Sequence, residues 1–182
     1  TVPIGGDFIT NDISIGLRVN TEAAERIKLK YGCAVLEDAA EDQIFKVANI
    51  GSEDNEREYT QVDLTEIIEP RVREIFQLIG DEAARLGMLE PAGGYVLSGG
   101  PVSMPGMLQI AREELGTAVR ITIPDYIGVR DPAYTNGVGI IQYGAKYFKG
   151  PSVPATTTKK AKVQSSSDKP KVFERLKNWF SE

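Results

Sequence analysis

The stretch Gly93-Gly94-Tyr95-Val96-Leu97-Ser98-Gly99-Gly100-Pro101-Val102-Ser103-Met104-Pro105-Gly106 decides the fold. A short apolar run, Tyr95 to Leu97, ends at Gly99-Gly100. Ser103 then offers a helix N-cap, Pro105 suits a first turn, and Met107, Leu108, Ile110, Ala111 and Leu115 carry a helical pattern. A buried strand that stops at paired glycines and feeds a helix lets backbone approach something flat or phosphorylated. An ordinary strand-to-helix turn would look the same, so the rest of the chain has to choose.

The chain has 182 residues, 41% hydrophobic and 26% charged, the balance of a globular protein with one or two domains. It has no histidine, which excludes His-based triads, His metal sites and imidazole bases. A single cysteine, Cys33, excludes an internal disulfide and fits a reducing compartment. No apolar run is long enough to span a bilayer, and the start carries no signal-peptide pattern. Thr1 opens what reads as the middle of a folded segment, so the expectation is a piece of a longer protein. Residues 159–182 hold seven basic and three acidic side chains, leaving −9 on residues 1–158 out of a net −5. An acidic body excludes nucleic acid as a natural partner, whereas a short basic tail suits an anionic surface.

Working outward, Gly5-Gly6 precedes Asp7, a candidate cap for a helix bearing Ile9, Ile13 and Leu17. Asn20-Thr21 starts a second helix, acidic early, basic late and stopped by Gly32. Glu25 and Lys28 share a face of it, which on spacing alone is a surface salt bridge. Cys33–Leu36, Ile44–Ile50 and Glu58–Val62 read as strands of a small antiparallel unit around an acidic loop, 51–57. Asp63 and Glu66 resemble a capping box for a long helix with Leu64, Ile68, Val72, Ile75 and Ile79 on its apolar side and Pro70 within it. Its outer face carries Glu69, Arg71, Arg73 and Glu74, in the simplest case a solvated surface. A strand over 118–123 completes a β-α-β crossover. Asp131-Pro132 begins a last helix whose Gly137, Gly139 and Gly144 predict a tightly packed face, against a sheet or a ligand wall.

Residues 149–168 have the composition of a disordered linker. After them, Val172, Phe173, Leu176, Trp179 and Phe180 fall on one helical face, flanked by Lys171, Arg175 and Lys177. So short a helix is marginal alone in water, and aromatic residues beside basic ones favour a membrane interface over a partner groove.

In this order the pieces resemble the second half of FtsA, the actin-like bacterial cell-division family. Gly5-Gly6-Asp7 through Asp12-Ile13, Ala24–Lys28 followed by Tyr31–Ala34, Leu97–Gly100 and Pro132–Tyr143 carry the likeness. The first, second and third also suit MreB, PilM and chaperone ATPases. Ile67-Ile68-Glu69-Pro70-Arg71 and the terminal amphipathic segment single out FtsA. The resemblance implies an α/β, actin-like (ribonuclease H-like) subdomain 2A over 1–6 and 91–148. Into it an α+β subdomain 2B is inserted over 7–90, with a disordered linker over 149–168 and a membrane-targeting amphipathic helix over 169–182.

The family binds ATP with Mg²⁺ between its two halves. The resemblance places Glu25 and Lys28 on the adenosine side, Gly99 and Gly100 against the nucleotide, and Gly5 and Gly6 near the second phosphate loop. The other half, with the first phosphate loop and subdomain 1C, and the aspartate-bearing hairpin are missing from these 182 residues. The expectation is therefore weak or no ATP binding and no turnover by the chain alone. The implied role is to tether FtsZ filaments to the cytoplasmic face of the cell membrane at the division septum, to polymerise with itself and to recruit other divisome proteins. The FtsZ C-terminal tail would dock on 2B near Arg71, Arg73 and Glu74, and anionic lipid would take residues 169–182. The competing readings are a PilM- or MreB-like scaffold and half of a sugar-kinase or chaperone-type ATPase.

Overall fold

A computed structural model describes residues 1–48, 56–88, 90–126 and 128–147. The expected linker, the terminal amphipathic segment and most of the acidic loop lie outside the described residues. Contacts gather Thr1–Lys146 into one compact unit of mixed α/β character. The elements are α1 (Gly6–Leu17), α2 (Thr21–Tyr31), β1 (Ile44–Ala48), β2 (Glu56–Thr60), α3 (Gln61–Arg85), β3 (Tyr95–Leu97), α4 (Met107–Leu115), β4 (Val119–Ile121) and α5 (Thr135–Tyr147). Short 3-10 turns cover Leu36–Asp38, Gly100–Ser103 and Pro132–Tyr134.

The core forms where α1, α2 and α3 press their apolar stripes together. Ile9, Ile13 and Leu17 of α1 meet Leu64, Ile68 and Val72 of α3 in one buried cluster that also takes in Phe45 and Val47 of β1. β1 alternates buried and exposed residues and pairs antiparallel with β2, with Phe45 opposite Tyr59. The Phe45 ring also stacks on Tyr31 at 4.7 Å. β3 and β4 pair in parallel, Val96 opposite Arg120, with α4 between them in sequence, as the crossover pattern predicts.

Several local expectations shift, each for a physical reason. The start of α3 is capped one turn earlier than Asp63: Thr60 Oγ1 accepts from Asp63 N at 3.1 Å, and Asp63 Oδ2 accepts from Thr60 N at 2.7 Å. This reciprocal box ends β2 at Thr60, short of Val62. The helix α1 begins at Gly6 behind Gly5, so Asp7 stands inside its first turn, beside the helix dipole, and is not the cap. Ser103 does not cap α4. Met104, restrained by the following Pro105, is extended, and the helix starts only after Gly106 in a left-handed conformation.

Cys33–Leu36 forms no strand, because its backbone is spent elsewhere. Ala34 N donates to Pro105 O at 2.9 Å and Leu36 N to Glu69 Oε2 at 2.7 Å. The antiparallel unit therefore has two strands among the described residues. The expected packing of α5 is also absent there. A Cβ at Gly137, Gly139 or Gly144 would meet nothing within 4 Å, and Ile140 and Ile141 are each 72% exposed.

The two ends of this burial scale give a direct test. Ile68→Ala, at a fully buried position, is expected to cost about 2–5 kcal/mol in urea unfolding, whereas Ile140→Ala should stay within about 0.5 kcal/mol of the parent chain. Equal losses would mean that α5 is packed as tightly as α3.

Candidate functional site

Asn20 caps α2 by accepting from Ala23 N at 2.8 Å, which fixes where the helix starts, and burial of Ala24 and Ile27 turns the Lys28 face toward α1. Lys28 is only 6% exposed. A buried ammonium has three protons to place, and three acceptors surround this one: Gly6 O at 3.1 Å, Thr10 Oγ1 at 2.7 Å and Glu25 Oε2 at 2.6 Å. The Thr10 hydroxyl in turn reaches Glu25 Oε2 at 2.5 Å. The spacing that reads as a surface salt bridge is thus the inner half of a four-member cluster. Thr10, 3% exposed, is its unforeseen member. The available signal was a polar residue one turn beyond Gly6, next to the apolar Ile9 and Ile13.

Glu25 and Lys28 line a cavity of about 150 Å³ together with Gly100. Leu29, Gly32, Pro101, Met104 and Pro105 supply its mostly apolar remainder, with Ser103 at the wall. Residues read separately, some 70 positions apart, therefore converge. Gly99, at φ 108°, makes the turn that brings Gly100 here, a conformation that side chains resist. Gly6 lies behind: a Cβ there would stand 2.6 Å from Pro101 Cγ. Gly5 and Gly6 line an adjoining apolar cavity with Leu97 and Ser98, and do not line the one with Glu25.

This donor set suits a nucleoside better than a phosphate. Each Lys28 proton faces an acceptor within the cluster, an arrangement that holds the Glu25 carboxylate in place. Glu25 keeps Oε1 free of hydrogen bonds among the described residues, an acceptor for sugar hydroxyls beside apolar walls that suit a flat base. Among the described residues no group of three acidic or sulfur side chains could hold a metal ion.

The long helix α3 separates the other candidates. Arg71 chelates Asp12 of α1, Nε to Oδ2 at 2.5 Å and Nη2 to Oδ1 at 3.1 Å, and its Nη1 also pairs with Glu74. Arg73 turns to the other flank. There it donates to Glu69 at 2.9 Å, Glu113 at 3.0 Å and Glu114 at 2.8 Å. Hydrogen bonding to Asp12 raises the Arg71 pKa against burial, and bonds to Glu114 and then Glu69 raise that of Arg73. Arg71 and Glu74 are brought together and Arg73 is not. The candidates at 171–180 lie outside the described residues.

At Glu25, burial pushes the carboxyl up, but hydrogen bonds from Lys28 and Thr10 and the Lys28 charge outweigh it and hold the pKa below 4.5. A depressed carboxylate contributes stability above its unfolded pKa and loses it as pH falls through the folded one. The parent chain should therefore exceed Glu25→Gln by no more than about 1 kcal/mol at pH 7, the carboxylate being 42% exposed. Urea midpoints should converge below pH 4.5. A gap that holds or widens there would contradict the ion pair.

A family model described as "Cell division protein FtsA" matches residues 1–139. Three curated relatives of that name are similar. The Bacillus subtilis protein is 46% identical over 80% of this chain and 33% of its own length. The Pseudomonas aeruginosa protein is 39% identical over 98% and 43%, and the Enterococcus hirae protein 37% identical over 78% and 32%. The chain thus spans about a third to less than half of the length of these relatives. With most of its length under the family model, the chain belongs to the FtsA family of cell division proteins.

Proposed function

We propose that this chain is the nucleotide- and partner-facing part of an actin-like adaptor that tethers FtsZ filaments to the membrane at the division septum. The observation that carries the reading is the convergence of Glu25, Lys28 and Gly100 on one cavity. In the actin-like arrangement, residues 1–6 and 91–148 form subdomain 2A and 7–90 form 2B. The cavity then holds the adenosine side of ATP. Bound ATP with Mg²⁺ would supply the charge and bulk that close an actin-like cleft and license self-assembly. The residues here orient its nucleoside: Lys28 and Thr10 fix Glu25, and Gly99-Gly100 carries backbone past it. Gly5 and Gly6 sit on the phosphate side by way of the N-terminus of α1.

The FtsZ C-terminal tail docks on the α1–α3 flank, where Asp12, Arg71 and Glu74 form a preorganised charged cluster. Arg71 can exchange an internal carboxylate for one of the tail, keeping its charge paired throughout. Membrane attachment belongs to residues 169–182, where the sequence spacing would bring Val172, Phe173, Leu176, Trp179 and Phe180 to one helical face beside Lys171, Arg175 and Lys177. No described helix is long and apolar enough to cross a membrane. Other divisome proteins are further partners, and nucleic acid is not.

Co-sedimentation with anionic liposomes tests both ends at once. The parent chain should pellet and carry FtsZ with it. Trp179→Glu, or truncation after Asp168, should abolish pelleting of both proteins. Arg71→Ala should leave the chain on the vesicles and lower the FtsZ recovered by about tenfold. Vesicle binding that ignores Trp179, or FtsZ recovery that ignores Arg71, would refute the corresponding half.

A further inference from the structure

The flank of α3 turned away from Arg71 carries its own surface. Glu66, Glu69, Pro70 and Arg73 recur at i, i+3, i+4 and i+7 and so share one helix face. With Val35, Leu36 and Glu37 they line a groove of about 480 Å³. Its apolar part is Leu36, 43% exposed, and the exposed ring of Pro70. The wall is held in place, since Leu36 N is tied to Glu69 and Ala34 N to Pro105.

The charge of this groove is one-sided. Its one cation, Arg73, is shared among three carboxylates, those of Glu69, Glu113 and Glu114. Glu37 and Glu66 are exposed and enter no ion pair among the described residues. Apolar contact therefore coincides with unbalanced negative potential. An anionic lipid surface and nucleic acid are repelled by it, and so is a second copy of a body that carries −9.

We infer that this groove docks a basic peptide segment of a protein partner. One apolar side chain rests on Leu36 and Pro70, and Lys or Arg side chains lie opposite Glu37 and Glu66. The surface is separate from the Arg71–Glu74 cluster and does not depend on the reading given to that cluster.

The test titrates the ¹⁵N-labelled full chain with a synthetic twelve-residue peptide alternating leucine and lysine, using a serine–lysine peptide of equal charge as control. The leucine–lysine peptide should bind and shift the amides of Leu36, Glu66, Glu69 and Arg73. Glu37→Gln/Glu66→Gln should weaken it about fivefold, as two exposed ion pairs are lost, and Leu36→Ser by a similar factor. Glu41→Gln/Asp42→Asn should stay within about twofold. Unchanged urea midpoints confirm that the variants remain folded. Equal binding of the serine peptide, shifts elsewhere, or indifference to Glu37 and Glu66 would overturn the proposal. So would dimerisation or vesicle binding that Glu66→Gln abolishes, since the groove would then serve a second copy or lipid.

Discussion

A buried ammonium holds the candidate site together. Lys28 could be withdrawn from water only because the first two turns of α1 and the body of α2 present three acceptors at once. Loss of an acceptor atom itself would leave a buried charge short of a partner, a larger loss than the Glu25→Gln exchange, which keeps a side-chain oxygen beside Lys28. The requirement fixes the crossing of the two helices. It also aims the Glu25 carboxylate and places the Gly5–Gly6 entry to α1 beside Pro101. Local chemistry and global packing are here the same constraint.

The second organising element is α3. Its stripe of Leu64, Ile68 and Val72 is fully buried, so its rotation is set by the core. With rotation fixed, every outward residue has an assigned direction. Arg71 faces α1 and Arg73 faces α4, and each is tied there by carboxylates. One helix thereby presents two different surfaces, one a compact cluster of two acids around an arginine, the other a more acidic groove with an apolar wall.

How much of this was legible follows from the range of the interactions. The Asn20 cap, the α2 boundary at Gly32 and the parallel pairing around α4 rest on local pattern, and the chain shows them plainly. Glu25 and Lys28 were legible as a pair but not as a buried one, because burial depends on Thr10, fifteen and eighteen positions away. Cys33–Leu36 has strand-like composition, yet its amides bond to Pro105 and Glu69, partners that only the tertiary fold supplies. The opposite directions of Arg71 and Arg73 did lie within reach of sequence, since residues two apart on a helix point to different sides. The Thr60 box was hidden by β2, which runs directly into it.

The bare face of α5 has a consequence for the time domain. Among the described residues this thirteen-residue helix buries no side chain in the core, and each of its three glycines costs about 1 kcal/mol relative to alanine, so its first two turns are the weakly held part. Its amides should exchange with solvent long before those of α3, opening by local unfolding while the core remains closed. Whatever covers Ile140 and Ile141 would then act less by adding contacts to a finished structure than by lengthening the life of a helix that otherwise opens and recloses.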